Sequence, residues 1–229
     1  MNIDGKRDQI AANICYGELN SKYLQLKSLS AKKILDLGGA TGWFAQKLKE
    51  KDEKIITIDL NMKKLKECTI AEPVYGNILS LPFKNDTFDI VIARAVLHHV
   101  PNDLNLSLTE IKRVLKDNGV LMIEEPCALN PVAYTVRKLL PSTFHDVDEK
   151  PFLPGFLKKR IEKRFNINEI DYYCLFSYPM PYLVQKLPNM TKPLGRKISH
   201  LLYNFDKVLL TSGLFQHFCG YLYILAKNQ

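Results

Sequence analysis

No two of the five cysteines, Cys15, Cys68, Cys127, Cys174 and Cys219, stand in a Cys-x-x-Cys spacing, and their number is odd. This argues against a disulfide framework and against a cysteine-based zinc site, and it favours reduced thiols in a cytoplasmic protein. Internal repeats and low-complexity tracts are absent. Met1 to Asp8 is polar, with neither an Arg-rich nor an apolar targeting segment. There is no separate basic recognition module, so nucleic acid is not an expected partner. Long uncharged runs are scarce too. Val208 to Ala226 holds no Asp, Glu, Lys or Arg and is long enough to span a bilayer. Thr211, Ser212, Gly213, Gln216, His217 and Gly220 divide it into a helix end, a turn and a strand, which reads as buried core.

What is present is an ordinary globular composition: 46% apolar and 24% charged over 229 residues, enough for one large domain or one with a cap. The formal net charge of +8 can favour anionic partners. Its densest group, Lys158-Lys159-Arg160 with Lys163-Arg164, alternates with Leu157, Ile161 and Phe165 at helical spacing, as a solvated helix face does.

Residues 6 to 28 read as helix. Strands are then expected at Lys33–Leu37, Lys54–Asp59, Val74–Gly76, Phe88–Ala93 and Val120–Glu124. Helices are expected at Gly42–Glu50, after the cap Asn61, and at Asp103–Lys116, stopped by Gly119. Strands of continuous apolar character alternating with helices predict an α/β fold: a doubly wound, mostly parallel sheet with helices on both faces. After Pro126 the chain is punctuated by proline, and a strand at Ile167–Leu175, a helix at Leu194–Ser212 and a strand at Tyr221–Ala226 follow. The expected organisation is one domain over 1–229: an N-terminal helical segment (1–30), a core (31–125), and a helical cap from 126–160 and 176–212 around the last strands.

Ile34-Leu35-Asp36-Leu37-Gly38-Gly39-Ala40-Thr41-Gly42 runs from a strand through a glycine-rich turn into a helix. Such a turn lets the backbone approach a ligand. It departs twice from Gly-x-Gly-x-x-Gly, with Ala40 and Trp43 at the second and third glycine positions, so a nicotinamide dinucleotide is not the expected ligand. Asp59 ends the second strand about twenty residues on, where an acid holds ribose hydroxyls.

Asp36-x-Gly38-x-Ala40-x-Gly42 resembles the first motif of class I S-adenosylmethionine-dependent methyltransferases, usually Asp/Glu-x-Gly-x-Gly-x-Gly. Asp59, Gly76-Asn77-Ile78-Leu79-Ser80-Leu81-Pro82-Phe83, Phe88-Asp89-Ile90-Val91, Leu97-His98-His99-Val100 and Glu110-Ile111-x-Arg113-Val114-Leu115-Lys116-x-x-Gly119 follow in that family's order. The likeness covers residues 31 to 125 and is greatest to the ubiquinone and menaquinone methyltransferase subgroup. It implies a Rossmann-like fold and S-adenosyl-L-methionine as cofactor. Gly38, Gly39, Ala40 and Gly42 would face its methionine part, Asp36 would orient the turn or the amino group, Asp59 with Leu60 would hold the ribose side, and Asn77 and Ile78 would meet adenine. Ala40 and Asn77 depart from the family's glycine and aspartate, and Arg94 stands where smaller residues are common.

Methyl transfer from a sulfonium is an in-line displacement that rests on alignment and water exclusion. His98 and His99, just past the fourth strand, are candidate general bases, with a structural histidine as the alternative. No acid or cysteine is spaced to make them a metal site. Tyr134, Arg137, His145 and Glu149 are candidate substrate residues in the cap. The expected activity is methylation of a small molecule. The alternatives are a lipid or quinone acceptor at a membrane surface, and a catalytically silent cofactor-binding protein. The Asn/Asp-Pro-Pro-Tyr/Phe motif of nucleic-acid methylation is missing.

Overall fold

The computed structural model describes residues 9–15, 22, 26, 33–48, 54–139 and 150–228. Seven strands form one sheet in the order β3-β2-β1-β4-β5-β7-β6. They are β1 (Lys33–Leu37), β2 (Lys54–Asp59), β3 (Glu72–Tyr75), β4 (Phe88–Arg94), β5 (Leu115–Pro126), β6 (Phe165–Tyr173) and β7 (Tyr221–Asn228). β7 lies antiparallel to both its neighbours, while β1 to β5 pair parallel. The helices are α1 (Gln9–Cys15), α2 (Trp43–Leu48), α3 (Met62–Leu65), α4 (Leu104–Val114), α5 (Pro131–Leu139), α6 (Pro154–Glu162), α7 (Met180–Lys186), α8 (Lys192–Leu209) and α9 (Gly213–Gln216).

The alternation of strand side chains builds two cores. Leu35, Ile56, Val91, Leu121 and Ile123 face Leu104, Leu108 and Ile111 of α4 and Leu157 and Ile161 of α6. Ile34, Ile55, Ile90, Ile92 and Met122 face Ala11 of α1, Phe44, Ala45 and Leu48 of α2, and Val184 of α7. Burial on both faces explains the unbroken apolar strands. The periodicity 104, 108, 111 puts one stripe of α4 on the sheet, each buried leucine contributing about 1.5–3 kcal/mol.

Three expectations are corrected. The helix expected over 103–116 ends at Val114, because Leu115 already pairs with Phe88 and the turn is made later by Asn118, at φ 59, and Gly119. The stretch from Val208 is not core throughout: Val208, Leu214 and Phe218 are exposed, and burial resumes at Cys219. Residues 154–160, expected in the cap, belong to α6. That helix crosses the sheet face, because Leu157 and Ile161 are needed to cover the apolar side chains there.

Two excursions leave and rejoin the carboxyl edge of the sheet. The first runs from Cys127 to Phe152, which bridge one another, with Ala128 N–H donating to the Phe152 carbonyl at 2.9 Å. The second runs from Tyr173 to Gly220, where Gly220 N–H donates to the Tyr173 carbonyl at 2.8 Å. Asn130 ties them together. Its Nδ2 donates to the carbonyls of Cys174, Leu175 and Phe218 at 3.1, 3.0 and 2.9 Å, and its Oδ1 accepts from Ala133 N–H at 2.6 Å, capping α5. Asn130 is fully buried, so truncation strands carbonyls out of reach of water. Asn130→Ala is expected to lower stability by about 2–4 kcal/mol in denaturant unfolding. A loss within experimental error would show that the two excursions are held by something else.

Candidate active site

β1 ends at Leu37, and the chain then turns through Gly38 and Gly42 at φ 65 and 73, with Ala40 at φ 48 between them. Close contact dictates the first two glycines. A Cβ on Gly38 would lie 2.6 Å from Val96 Cγ2, and one on Gly39 would lie 2.1 Å from Thr57 Oγ1 and 2.4 Å from Asp36 Oδ2. Ala40 carries a side chain in a left-handed conformation that glycine adopts freely, at a cost of about 1–2 kcal/mol.

The turn is held from the neighbouring strand. Gly38 N–H donates to the Ile58 carbonyl at 2.8 Å, Ala40 N–H to Asp59 Oδ2 at 3.1 Å, and Asn61 N–H to Asp59 Oδ1 at 2.7 Å. Asp59 therefore sits beside the glycine turn, each oxygen holding one backbone donor with a lone pair to spare. Leu60, next to it, is exposed.

Asp36 is buried beneath this turn, and its Oδ2 has no hydrogen-bond partner. Burial pushes its carboxyl up from 3.8 to about 7. The Arg94 guanidinium opposes that rise and the Asp59 carboxylate adds to it. Arg94, half-buried at the end of β4, lies 4.9 Å from the centre of the Phe44 ring.

Gly76 N–H donates to the Asp59 carbonyl, bringing Asn77 and Ile78 to the same edge. Asn77 is exposed, and its Oδ1 accepts from Leu79 N–H at 2.9 Å. Ile78 is buried in the core.

His98 and His99 lie on a short 3-10 turn, Leu97–His99, after β4. They separate in environment. His99 is exposed, whereas His98 is buried with Nδ1 2.7 Å from Glu125 Oε2. Glu125, fully buried on β5, also accepts from Val96 and Leu97 N–H through Oε1, at 2.9 and 2.7 Å, and from His98 N–H at 3.4 Å. The sequence reading missed Glu125. The signal available was an acidic pair, Glu124-Glu125, closing the apolar run from Val120 to Ile123.

Glu110 and Arg113 prove to be a clamp. Arg113 donates to the carbonyls of Phe83 and Leu81, and Glu110 accepts from Leu81 N–H and from Arg113, whose hydrogen bond pulls the Glu110 carboxyl down.

Tyr134 is exposed on α5, and Arg137 lies on the same helix. His145 and Glu149 lie outside the described residues. A cleft of about 280 Å³ between α6 and α9, lined by Lys158, Glu162, Tyr172 and His217, contains none of the expected site residues.

Asp36, the 38–42 turn, Asp59, Asn77 and the His98–Glu125 pair thus lie along one strand edge, the place where doubly wound sheets bind ligands. The bare backbone at Gly38 and Gly39 and the orphaned Asp36 oxygen suit a ligand bearing a cationic amino group. The fold and this turn define a methyltransferase domain, and residues 35–123 match the family described as "Methyltransferase domain". An uncharacterized protein of Methanocaldococcus jannaschii is 29% identical over 197 residues, covering 82% of this chain and 81% of that one. A malonyl-[acyl-carrier protein] O-methyltransferase of Hamiltonella defensa is 27% identical over 128 residues, 54% of this chain and 47% of the relative, so the chain spans about half of it. Among solved structures, the [4+2]-cyclase SpnF superposes with a TM-score of 0.64 at 17% identity, over 92% of this chain and 80% of that one. The N-methyltransferase NodS from Bradyrhizobium japonicum, in complex with S-adenosyl-L-homocysteine, gives a TM-score of 0.57 at 12% identity, over 93% and 86%. The match over residues 35–123 and these relatives mark the chain as an S-adenosylmethionine-dependent methyltransferase, with the fold that solved methyltransferase structures share.

Asp36 makes the site's stability pH-dependent. Between 3.8 and about 7 the folded protein binds this proton more tightly than the unfolded chain. Its contribution is therefore full below that window and is lost as pH rises through it. Cofactor-free wild type should lose thermal stability relative to Asp36→Asn across the window, with the difference constant above it. Parallel melting curves from acid to neutral pH would show that Asp36 is not the titrating group.

Proposed function

We propose that this methyltransferase modifies a small-molecule acceptor whose proton is taken by His98. The observation that carries the reading is the buried His98–Glu125 pair at the same strand edge as the glycine turn. A carboxylate accepting three backbone N–H groups is an acceptor, so Nδ1 of His98 carries the shared proton and Nε2 is the basic nitrogen. Glu125 orients the ring, as the third member of a triad does. His99 is exposed, and the proton transfer is assigned to the buried His98.

The bound sulfonium supplies a methyl group already activated for displacement. The chain's own residues bind, align and exclude water. Gly38, Gly39, Ala40 and Gly42 hold the methionine part through backbone, and Asp36 receives its amino group. Asp59 accepts from the ribose hydroxyls with its remaining lone pairs. Leu60 lies with Asp59 on the ribose side, and Asn77 and Ile78 bound the adenine, the Asn77 amide taking the place of a carboxylate without its charge. Arg94 counters the charge of Asp36. Tyr134 and Arg137 stand on the helix that begins at the carboxyl edge and are assigned to the acceptor side, with residues 127–139 and 176–212, the described parts of the expected cap that leave that edge, covering it. All five cysteines lie buried as free thiols, which suits a reducing compartment such as the cytoplasm.

Titration calorimetry should show binding of S-adenosylmethionine or S-adenosylhomocysteine and none of NAD. Asp59→Ala should weaken binding by about 1.5–3 kcal/mol, the scale of hydrogen bonds to a charged group. Preferential NAD binding would refute the cofactor assignment to these residues. His98→Asn should lower turnover about a hundredfold while leaving cofactor affinity intact. Unchanged turnover in that variant would reduce His98 to a structural residue.

A further inference from the structure

Cys127 and Cys219 meet where the two excursions are anchored to the sheet. Cys127 is the first residue past β5, and Cys219 stands two residues before β7. Their Sγ atoms lie 3.2 Å apart, although 92 positions separate them in the chain. Cys127 N–H donates to the Gly220 carbonyl at 3.0 Å, so the backbones beside the two thiols are already tied together. Bringing the sulfurs to bonding distance therefore asks for rotation of the side chains and leaves the sheet edge in place. Both thiols are buried in the core that α4 and α6 cover. The other cysteines are engaged elsewhere. Cys68 Sγ donates to the Ala71 carbonyl at 3.6 Å and Cys174 Sγ to the Cys15 carbonyl at 3.4 Å. Burial pushes the Cys15 thiol up to about 12 and the Cys174 thiol well above its usual value, which holds both in the less reactive protonated form.

The pair lies close behind a cleft on the same face. The cleft of about 280 Å³ between α6 and α9 has Tyr172 and His217 in its wall. Tyr172 packs against the core that contains both thiols. Burial raises its phenol, and the negative charges that Cys219 and Cys127 would carry as thiolates raise it next, which puts Tyr172 within electrostatic reach of both sulfurs. Cys219 follows His217 by two residues. Neither the glycine turn nor His98 borders this cleft. Two buried sulfurs in contact behind a small opening suit a small oxidant. Hydrogen peroxide is little larger than water and can reach them, whereas a peptide disulfide such as oxidised glutathione is too bulky.

We infer that Cys127 and Cys219 form a reversible dithiol–disulfide couple, oxidised by hydroperoxide, that staples the start of the first excursion to the end of the second. One sulfur gives its electron pair to a peroxide oxygen. The O–O bond breaks, and the displaced hydroxide leaves as water with that thiol's proton, giving a sulfenic acid. The second sulfur attacks the sulfenic sulfur, the S–O bond breaks, and the second thiol's proton leaves with the hydroxide as another water. One peroxide is thus reduced to two waters while two thiols are oxidised to one disulfide, which a thiol reductant reopens. The couple is independent of the role assigned to His98, since no residue of that site takes part. To test it, the reduced full chain is treated with hydrogen peroxide under native conditions. Remaining thiols are alkylated after denaturation, and the digest is read by mass spectrometry. A linked Cys127–Cys219 peptide is expected, absent after dithiothreitol, with Cys15, Cys68 and Cys174 alkylated. The oxidised chain should melt about 5 °C or more above the reduced one, because the bond closes a loop of about 92 residues. Cys219→Ala should remove that rise. The linked peptide is read on wild type and does not depend on the variant folding. Five alkylated thiols after peroxide, Cys127 and Cys219 as sulfinic or sulfonic acids, or either one linked to a different cysteine would overturn the inference. So would a linked chain that melts no higher than the reduced one.

Discussion

The Glu125 carboxylate is the contact on which the site's geometry depends. It comes from the end of β5 and takes up the backbone N–H groups of Val96, Leu97 and His98 in the turn after β4, together with the His98 ring. A buried carboxylate is costly to desolvate, and only a full set of donors offsets the cost. Here four donors converge on two oxygens. The turn after β4 is thereby fixed to its neighbouring strand, and Val96 of that turn is the residue that closes against Gly38. One acid thus sets the walls of the cofactor turn and the orientation of the histidine.

Asp36 presents the opposite account at the same edge. It is as buried as Glu125, but one of its oxygens has no donor, and burial raises its carboxyl accordingly. Tyr223 Oη and Asn228 Oδ1 are likewise buried without a hydrogen-bond partner, but Asp36 is the one that lies under the glycine turn, where an unfilled acceptor suits a donor carried by a ligand. An acid buried with an unfilled oxygen costs stability at this position. Thr57 shows how little room remains, since its hydroxyl and the Asp36 carboxyl already occupy the place of a side chain at Gly39.

The sequence makes the sheet legible because its strands are buried on both faces. Ile34-Leu35-Asp36-Leu37 and Phe88 to Ala93 are apolar but for one aspartate each, and their order with the intervening helices implies a parallel, doubly wound arrangement. The glycine turn and Asp59 are legible for a different reason, because backbone conformation restricts residue type there. Glu125 is not legible. Its role depends on N–H groups some thirty positions away, a pairing made by tertiary packing. The same holds for α6, whose proline start and lysines read as part of a cap until Leu157 and Ile161 are seen on the sheet. His145 and Glu149 fall outside the described residues.

Helix α8 shows where periodicity alone misleads. Leu194, Ile198, Leu201, Phe205 and Val208 make a regular apolar stripe, and the usual inference turns such a stripe toward the core. What decides the orientation is the opposite face. Asp206 completes three hydrogen bonds with Phe176 and Ser177 that water would otherwise have to supply in a buried place, and Gly195 admits Leu187 and Val184 so closely that a Cβ there would lie 2.7 Å from Leu187. A buried aspartate can be exposed only by giving up those bonds, each worth about 1.5–3 kcal/mol for a charged acceptor. Turning the stripe inward would exchange that directional anchor for apolar burial against a face already filled by α7. The helix therefore settles with its polar contacts inside and its apolar residues outside.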